Sequence, residues 1–574
     1  MRWLIFFLAM MLIPGLNPQA FCQSDFSTRN PLARRSMERA VEAYQSGNYE
    51  LALTRASQAI RRDPGFREAH ILKAEVFFTM GDHHESANAY RLAIGLDPEA
   101  YPQARYYLGL SLIHTGQYAE ARKWIEEFLA FPSIPPSLEK STRELMAQCD
   151  FALAAMDHPV PFSPENLGGG VNSPTAEYSP ALTIDGKTLV FTRRSPGGAG
   201  REAGRETEDF YVSRWESGQW SPAVNLGPPI NTEGNEGAQS LSADGQTMYF
   251  TACGRSGGQG SCDIYFARME NGRWGQARNM GRVVNSAAWD SHPSVSSDGK
   301  TLYFSSARAG SHGPMDLWKT DWDENLGWQT PVNLGPDINT TGREMSPFIH
   351  PDGQTLYFAS DGHQGMGGLD IFLSRRDAEG NWSSPVNLGY PINTHADEFS
   401  LFVDAGGSRA YFASDIEGGC GDLDIYSFEL YEEARPKPVV GIVGLAGGGD
   451  EPESMKVIGE GDPVVLRNIF FDTDSYRLKP ESMEEIRLLF GLLKDHPGWK
   501  VEISGHTDNV GGDAYNLALS ENRARSVVQA LVDMGIDPSR LTYKGHADTR
   551  PVDTNETAGG RANNRRTEFT ILKF

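Results

Sequence analysis

The sequence predicts three modules in series: an α-solenoid, a five-bladed β-propeller and an α/β sandwich. Three observations carry this. A period of 34 residues runs through the first third, and a period of 54 runs through the middle. The last stretch, about 110 residues, alternates strand and amphipathic-helix patterns without repeating itself.

At 574 residues the chain is too long for a single core, and length alone calls for several domains. Asp+Glu exceed Lys+Arg by 75 to 52, a net charge of −23. That balance argues against a nucleic-acid partner, which needs clustered Lys and Arg to neutralise phosphates. The opening "MRWLIFFLAMMLIPGLNPQAFCQS" has one positive residue, Arg2, then an apolar run from Trp3 to Leu12. It reads as a secretory leader over 1–22, too short to span a bilayer. A lipid anchor at Cys22 is the alternative, although Gln19 and Phe21 stand where a lipidation signal has Leu and a small residue. No later run is long enough to cross a membrane.

In the first third, Gly47, Gly81 and Gly116 recur at 34 and 35 residues, and Pro64, Pro98 and Pro132 at 34 and 34. An aromatic or His follows each Gly two residues on (Tyr49, His83, Tyr118), and a small residue five on (Ala52, Ser86, Ala121). The stretches between have apolar or small residues at helical spacing, with Gly ending the first helix of each pair and Pro following the second. "PSLEKSTRELMAQCDFALAAMD" supplies a closing helix. The pattern resembles the tetratricopeptide repeat over 28–157. The resemblance implies a stacked array whose concave face binds a peptide or protein.

In the middle, "NLG" or a near match begins at Asn166, Asn225, Asn279, Asn333 and Asn387, spaced 59, 54, 54 and 54. "DGKTLVF", "DGQTMYF", "DGKTLYF" and "DGQTLYF" follow in turn, with a degenerate "AGGSRAYF" in the last unit. An Asp–apolar–aromatic triplet comes next, at Asp209, Asp263, Asp316, Asp370 and Asp424. Asp-Gly between short β-branched and aromatic runs signals tight turns between strands. Trp220, Trp274, Trp328 and Trp382 are read as the fourth strand of each unit. About four strands in some fifty residues make a propeller blade. The pattern resembles the WD40-like repeats of TolB-type propellers over 160–430, the sequence just before Asn166 completing the last blade. Because the Asp residues recur in every unit, they read as structural rather than catalytic. His292, His350 and His395 make no metal-spaced pair. "CGRSGGQGSC" allows either a Cys253–Cys262 disulfide or two loop thiols.

Residues 431–461, rich in Gly, Pro and acid, read as a linker with a short strand near Pro438–Leu445. From 462 the order is strand, helix, strand, helix, strand, strand. "FFDTDS", "GHTDNVG", the Asn516–Ala524 run, "GIDPSRL" and "GRANNRRTEF" resemble the OmpA C-terminal, peptidoglycan-associated domain over 462–574. The resemblance implies that Asp508 and Arg523 grip the diaminopimelate side chain of the peptidoglycan stem peptide. The chemistry suits it: the free end of that side chain is a zwitterion, and a carboxylate beside a fork-shaped cation takes both charges. Thr507, Asn516 and Arg565 complete the candidate site. Asn516 lies seven residues before Arg523 and so on the same helix face. Of Asn564, Arg565 and Arg566, one arginine lines the site while the others brace the fold. Phe470 and Asp472 match the motif edge, and His506 is structural.

No activated nucleophile and no carboxylate pair for hydrolysis is visible, so the expectation is a non-enzymatic protein without cofactor or metal. The order of modules is similar to that of accessory proteins of the type IX secretion apparatus. It implies a periplasmic scaffold associated with the outer membrane, binding peptidoglycan at one end and envelope proteins through the rest. A wall-targeted propeller hydrolase, or a TolB-like binding module unrelated to secretion, are the alternatives.

Overall fold

The computed structural model describes residues 26–196, 206–416, 418–442, 456–466, 468–472 and 475–574. The expected leader and the candidate lipidation site Cys22 lie outside the described residues. The chain divides into two compact units, the first holding the N-terminal helices with segments Gln364–Asp370 and Gly389–Asp397, the second the remainder.

The first unit contains helices α1 (Pro31–Gln45), α2 (Tyr49–Arg62), α3 (Arg67–Met80), α4 (His83–Leu96), α5 (Ala104–Ile113), α6 (Tyr118–Leu129) and α7 (Pro136–Asp157). Each glycine of the 34-residue period sits in the left-handed region after the first helix of a pair: φ is 74° at Gly47, 82° at Gly81 and 71° at Gly116. Tyr49, His83 and Tyr118 each begin the second helix of a pair. The small residues three further on, Ala52, Ser86 and Ala121, are fully buried, letting neighbouring helices approach. Asn48 and Asp82 cap their helices through side-chain oxygens. The expected closing helix is α7, with the same bounds. This is a tetratricopeptide-type helical array.

The second unit begins with five separate antiparallel sheets. Their innermost strands are Glu177–Leu182, Asn235–Leu241, Asp290–Val295, Glu344–Ile349 and Phe402–Val403. The Asp-Gly turn after each of the first four innermost strands has its glycine at positive φ, as at Gly245 (65°) and Gly299 (69°). The repeated Asp lies at or near the start of the third strand of its sheet and is buried there. Asp316 accepts from the backbone N–H of His312 (2.7 Å) and Gly313 (3.0 Å) and from Asn333 Nδ2 (2.7 Å). Its role is to close a turn, as its repetition implied.

In three of the sheets the fourth strand lies at the Trp position, as expected. Trp220, Trp274 and Trp328 lie on two-residue strands that extend the far end of the third strand, and Trp382 makes only an isolated bridge with Arg376. The same edge continues in two residues around each "NLG" asparagine, such as Val332–Asn333 on the strand Asp316–Asp323. Glu165–Asn166 pairs in this way with Asp424–Glu429 of the last sheet. A two-residue strand is too short to show alternation, so in the sequence this continuation shows only as repeated Asn–Leu–Gly punctuation. Cys253 and Cys262 face each other across adjacent strands and are disulfide-bonded.

The short strand expected in the linker is Val439–Ile442, which pairs with Lys456–Gly459, and Ile458 joins the core that follows. The last module has strands β1 (Pro463–Leu466), β2 (Lys500–Gly505), β3 (Leu541–Gly545) and β4 (Thr567–Lys573) in the order β1-β4-β2-β3. Only β2 and β3 run parallel. Helices α8 (Met483–Asp495) and α9 (Asp513–Asp533) bury Ile486, Leu489, Leu493, Val527 and Leu531 against Val501, Ile503 and Phe569. A short helix, α10 (Ala558–Asn564), occupies the stretch read as an approach to the last strand. No helix among the described residues is long and apolar enough to cross a membrane.

Candidate functional site

The candidate site is built where β2 ends. Gly505 closes that strand, and no side chain fits there: a Cβ would meet the backbone oxygen of Ser520 on α9 at 2.1 Å. The next three residues are buried. His506 N–H donates to the Arg566 carbonyl (2.9 Å) and Thr507 N–H to the Ala547 carbonyl (2.9 Å). These bonds hold the chain so that Asp508 leaves the sheet edge at a fixed place.

Asp508 is only 7% exposed. One carboxylate oxygen accepts from Val510 N–H (3.0 Å), and the other takes Arg565 Nη1 at 2.6 Å. The Arg565 side chain is 46% exposed, so the pair is open to water on one side. Asn516, one turn into α9, donates from Nδ2 to the Asp508 carbonyl (3.3 Å). Gly511 permits this approach: its φ is +112°, and a Cβ there would lie 2.9 Å from Asn516 Oδ1. The structure thus brings Thr507, Asp508, Asn516 and Arg565 together. The Thr507 hydroxyl is buried with no protein partner.

Arg523 lies two turns further along α9, and its contacts come from elsewhere. Its Nε donates to the Ser475 carbonyl (3.0 Å), and its guanidinium stands 5.1 Å over the Phe471 ring. The "FFDTDS" segment is therefore the brace of Arg523, through Phe471 and Ser475. Sequence reading picked out Phe470 and Asp472 instead. Phe470 is 45% exposed, and Asp472 pairs with Lys479 at the surface. The doubled Phe was the available signal, but only the fold tells which ring faces inward.

Beneath the site is a second charged layer. Glu568 accepts from His506 Nε2 (3.2 Å) and Arg566 Nε (2.7 Å), and the His506 ring stacks on His546. Burial alone raises the Glu568 carboxyl, but the bonds from His506 and Arg566 outweigh it and hold the group down at about 2. Arg566 is thus the arginine that braces and Arg565 the one that faces the site. Asn564, fully buried, accepts from the Val552 and Asp553 backbone and fixes the loop before α10. Among the described residues no group of three or more His, Cys, Asp or Glu is placed to hold a metal.

The fold and site define an α/β sandwich with a buried carboxylate paired to a half-exposed guanidinium where strand β2 ends. The OmpA family profile matches residues 470–565, and the tetratricopeptide repeat profile matches 37–101 and 79–135. The chain is 43% identical over 104 residues to outer membrane porin F of Pseudomonas fluorescens, covering 18% of this chain and 32% of that one. It is 36% identical to outer membrane protein A of Bordetella avium over 144 residues, 25% of this chain and 74% of the relative. It is also 39% identical over 111 residues to the peptidoglycan-associated lipoprotein of Pseudomonas aeruginosa, 19% of this chain and 66% of that one. The chain belongs to the OmpA family.

Proposed function

We propose that this protein is a non-enzymatic scaffold of the cell envelope that grips peptidoglycan through its last module. Asp508 takes the ammonium of a diaminopimelate side chain, and Arg523 and Arg565 take its carboxylate, Arg565 turning from Asp508 towards the ligand. Thr507 and Asn516 keep Asp508 in place and offer polar contacts. The observation that carries this reading is the Asp508–Arg565 pair itself. It holds both charges of a zwitterion binder at a half-open edge, with Arg523 fixed along the adjoining helix.

The five central sheets, with Glu165–Asn166 in the last of them, support a closed five-bladed propeller. On this reading the propeller and the helical array hold envelope proteins while the last module holds the wall. Clustered copies gain from multivalency, because weak wall contacts add up. The protein then resides in the periplasm against the outer membrane and wall. The order of modules supports a place in anchoring a type IX secretion machine.

The deciding experiment is co-sedimentation of the full-length protein with purified diaminopimelate-type sacculi, beside Asp508→Ala and Arg523→Ala. The reading expects the wild type in the pellet and both folded variants in the supernatant. Equal pelleting of wild type and variants defeats it.

A further inference from the structure

The innermost strands of the five central sheets surround one pocket that plays no part in the wall site. In each of the first four strands, and two residues before the fifth, one residue sits in the left-handed region: Ser179, Ala238, His292, Ser346 and Ser400, with φ between 50° and 59°. In the first four sheets the pairing register shifts at this point, marking a bulge that turns the strand's polar groups inward. Neighbouring strands are tied across the pocket wall. Ser400 Oγ bonds Ser179 Oγ (3.3 Å) and Ser346 Oγ (3.4 Å), and Gln239 Nε2 donates to the Ser179 carbonyl (2.6 Å).

Two residues beyond each bulge the five-fold pattern breaks. The positions read Ala181, Ser240, Ser294, Phe348 and Phe402. Two adjacent sheets present hydroxyls and two present aromatic rings, the Phe348 and Phe402 centroids lying 4.6 Å apart. Ser240 Oγ accepts from Val295 N–H and Ser294 Oγ from Ile349 N–H, leaving each hydroxyl proton to donate. His292 stands on the hydroxyl side, its Nδ1 on Ser291 Oγ (2.8 Å), leaving Nε2 for another partner. Burial holds this imidazole at about 4, so it is neutral at pH 7.

The chain carries 75 Asp+Glu and 52 Lys+Arg, yet none of these lines the pocket. A charged ligand would lose its hydration with no counter-charge in return. A purely apolar one would leave the serine hydroxyls and Nε2 unpaired. What fits is an uncharged molecule with a C–H face and a hydroxyl edge.

We propose that this hub pocket binds one neutral sugar ring, with its C–H face on Phe348 and Phe402 and its hydroxyls on Ser240, Ser294 and His292. This assignment is independent of wall binding by the last module.

The test is saturation-transfer NMR on the full-length protein with N-acetylglucosamine and glucose as probes. Glucuronic acid serves as the charged comparator and a capped neutral tripeptide as the other class. Transfer to ring protons of a neutral sugar is expected, at least tenfold weaker for glucuronic acid and absent for the peptide. His292→Ala, which copies the residue found at the equivalent Ala238, and Phe402→Leu are each expected to weaken binding at least tenfold. Asp508→Asn is expected to leave sugar binding unchanged, so failure here and failure of the wall site are separable. No transfer to either neutral sugar, equal transfer to glucuronic acid, preference for the peptide, or unchanged binding in both folded variants each overturns the proposal. If a variant does not fold, the wild-type comparison of neutral with charged sugar decides alone.

Discussion

Arg565 Nη1 lies 2.6 Å from Asp508 Oδ2, and this contact joins the end of strand β2 to the residue that follows α10, 57 positions away. The carboxylate is buried while the guanidinium is half exposed. The pair is therefore asymmetric. Asp508 is fixed by its surroundings, whereas Arg565 keeps solvent on one side and can move. On the proposed reading, an incoming ammonium displaces Arg565 from Asp508.

Asp508→Asn keeps the shape and removes the charge. It is expected to lower sacculus binding at least tenfold, equivalent to about 1.4 kcal/mol. Because Arg565 stays hydrated, the loss in stability should stay within about 1 kcal/mol. Binding isotherms on sacculi, with thermal unfolding as the control, check both halves. A large drop in melting temperature would instead make the pair structural.

The layer beneath gives a pH dependence. Glu568 is held at about 2, against 4.5 for the free group. Its folded value lies below its unfolded one, so its contribution is complete above about 5 and is lost as pH falls from there towards 2. Urea unfolding of the wild type and Glu568→Gln should differ by about 2–3 kcal/mol at pH 7. The gap should narrow steadily between pH 4 and pH 2. A gap independent of pH would mean that packing, not charge, is lost in the variant.

How much of this was legible in the sequence depended on the length of each signal. The helix pairs were readable because Gly and Pro mark their ends at a fixed period, and α7 begins at Pro136, a residue favoured in a first turn. The three longer strands of each sheet show β-branched and aromatic runs around Asp-Gly. The fourth strand was marked by its Trp, but it is broken into two-residue pieces with no room for a pattern, so its continuation to the Asn–Leu–Gly segment on the same side of the third strand was not legible. In α10, "AGGRANN" carries two glycines and no apolar stripe, so nothing in it signals a helix; Thr557 caps it at Gly560 N–H. Asp508, Asn516 and Arg565 could be named from motifs. The hold on Arg523 could not, because Ser475 is 48 residues away and only the packed fold brings it near.

The repeated Asp of the central sheets is expected to matter for stability. Asp316 is fully buried and accepts three hydrogen bonds. Asp316→Ala leaves two backbone N–H groups and the Asn333 amide without an acceptor, at a cost of about 3 kcal/mol. A marked fall in the unfolding midpoint is the expected outcome, with sacculus binding at low temperature unchanged. If stability held while partner binding fell, the residue would have to be reassigned from turn closure to recognition.

Gly511 offers a test of the wall site that touches none of its charges. Its φ of +112° lies in a region that L side chains rarely adopt, and a Cβ would press on Asn516 Oδ1 at 2.9 Å. Asn516 in turn donates to the Asp508 carbonyl, so a shift at Gly511 is passed directly to the carboxylate. No residue of this loop is a member of the α8–α9 core, which is built from Ile486, Leu489, Leu493, Val527 and Leu531 among others. Gly511→Ala should therefore cost about 1–3 kcal/mol of local strain while the module stays folded. Sacculus binding should fall about tenfold although Asp508, Arg523 and Arg565 are all present. Chemical-shift mapping should confine the change to the 506–523 stretch and its neighbours. Undiminished binding in this variant would mean that the turn does not set the carboxylate's position and that grip depends on charge alone.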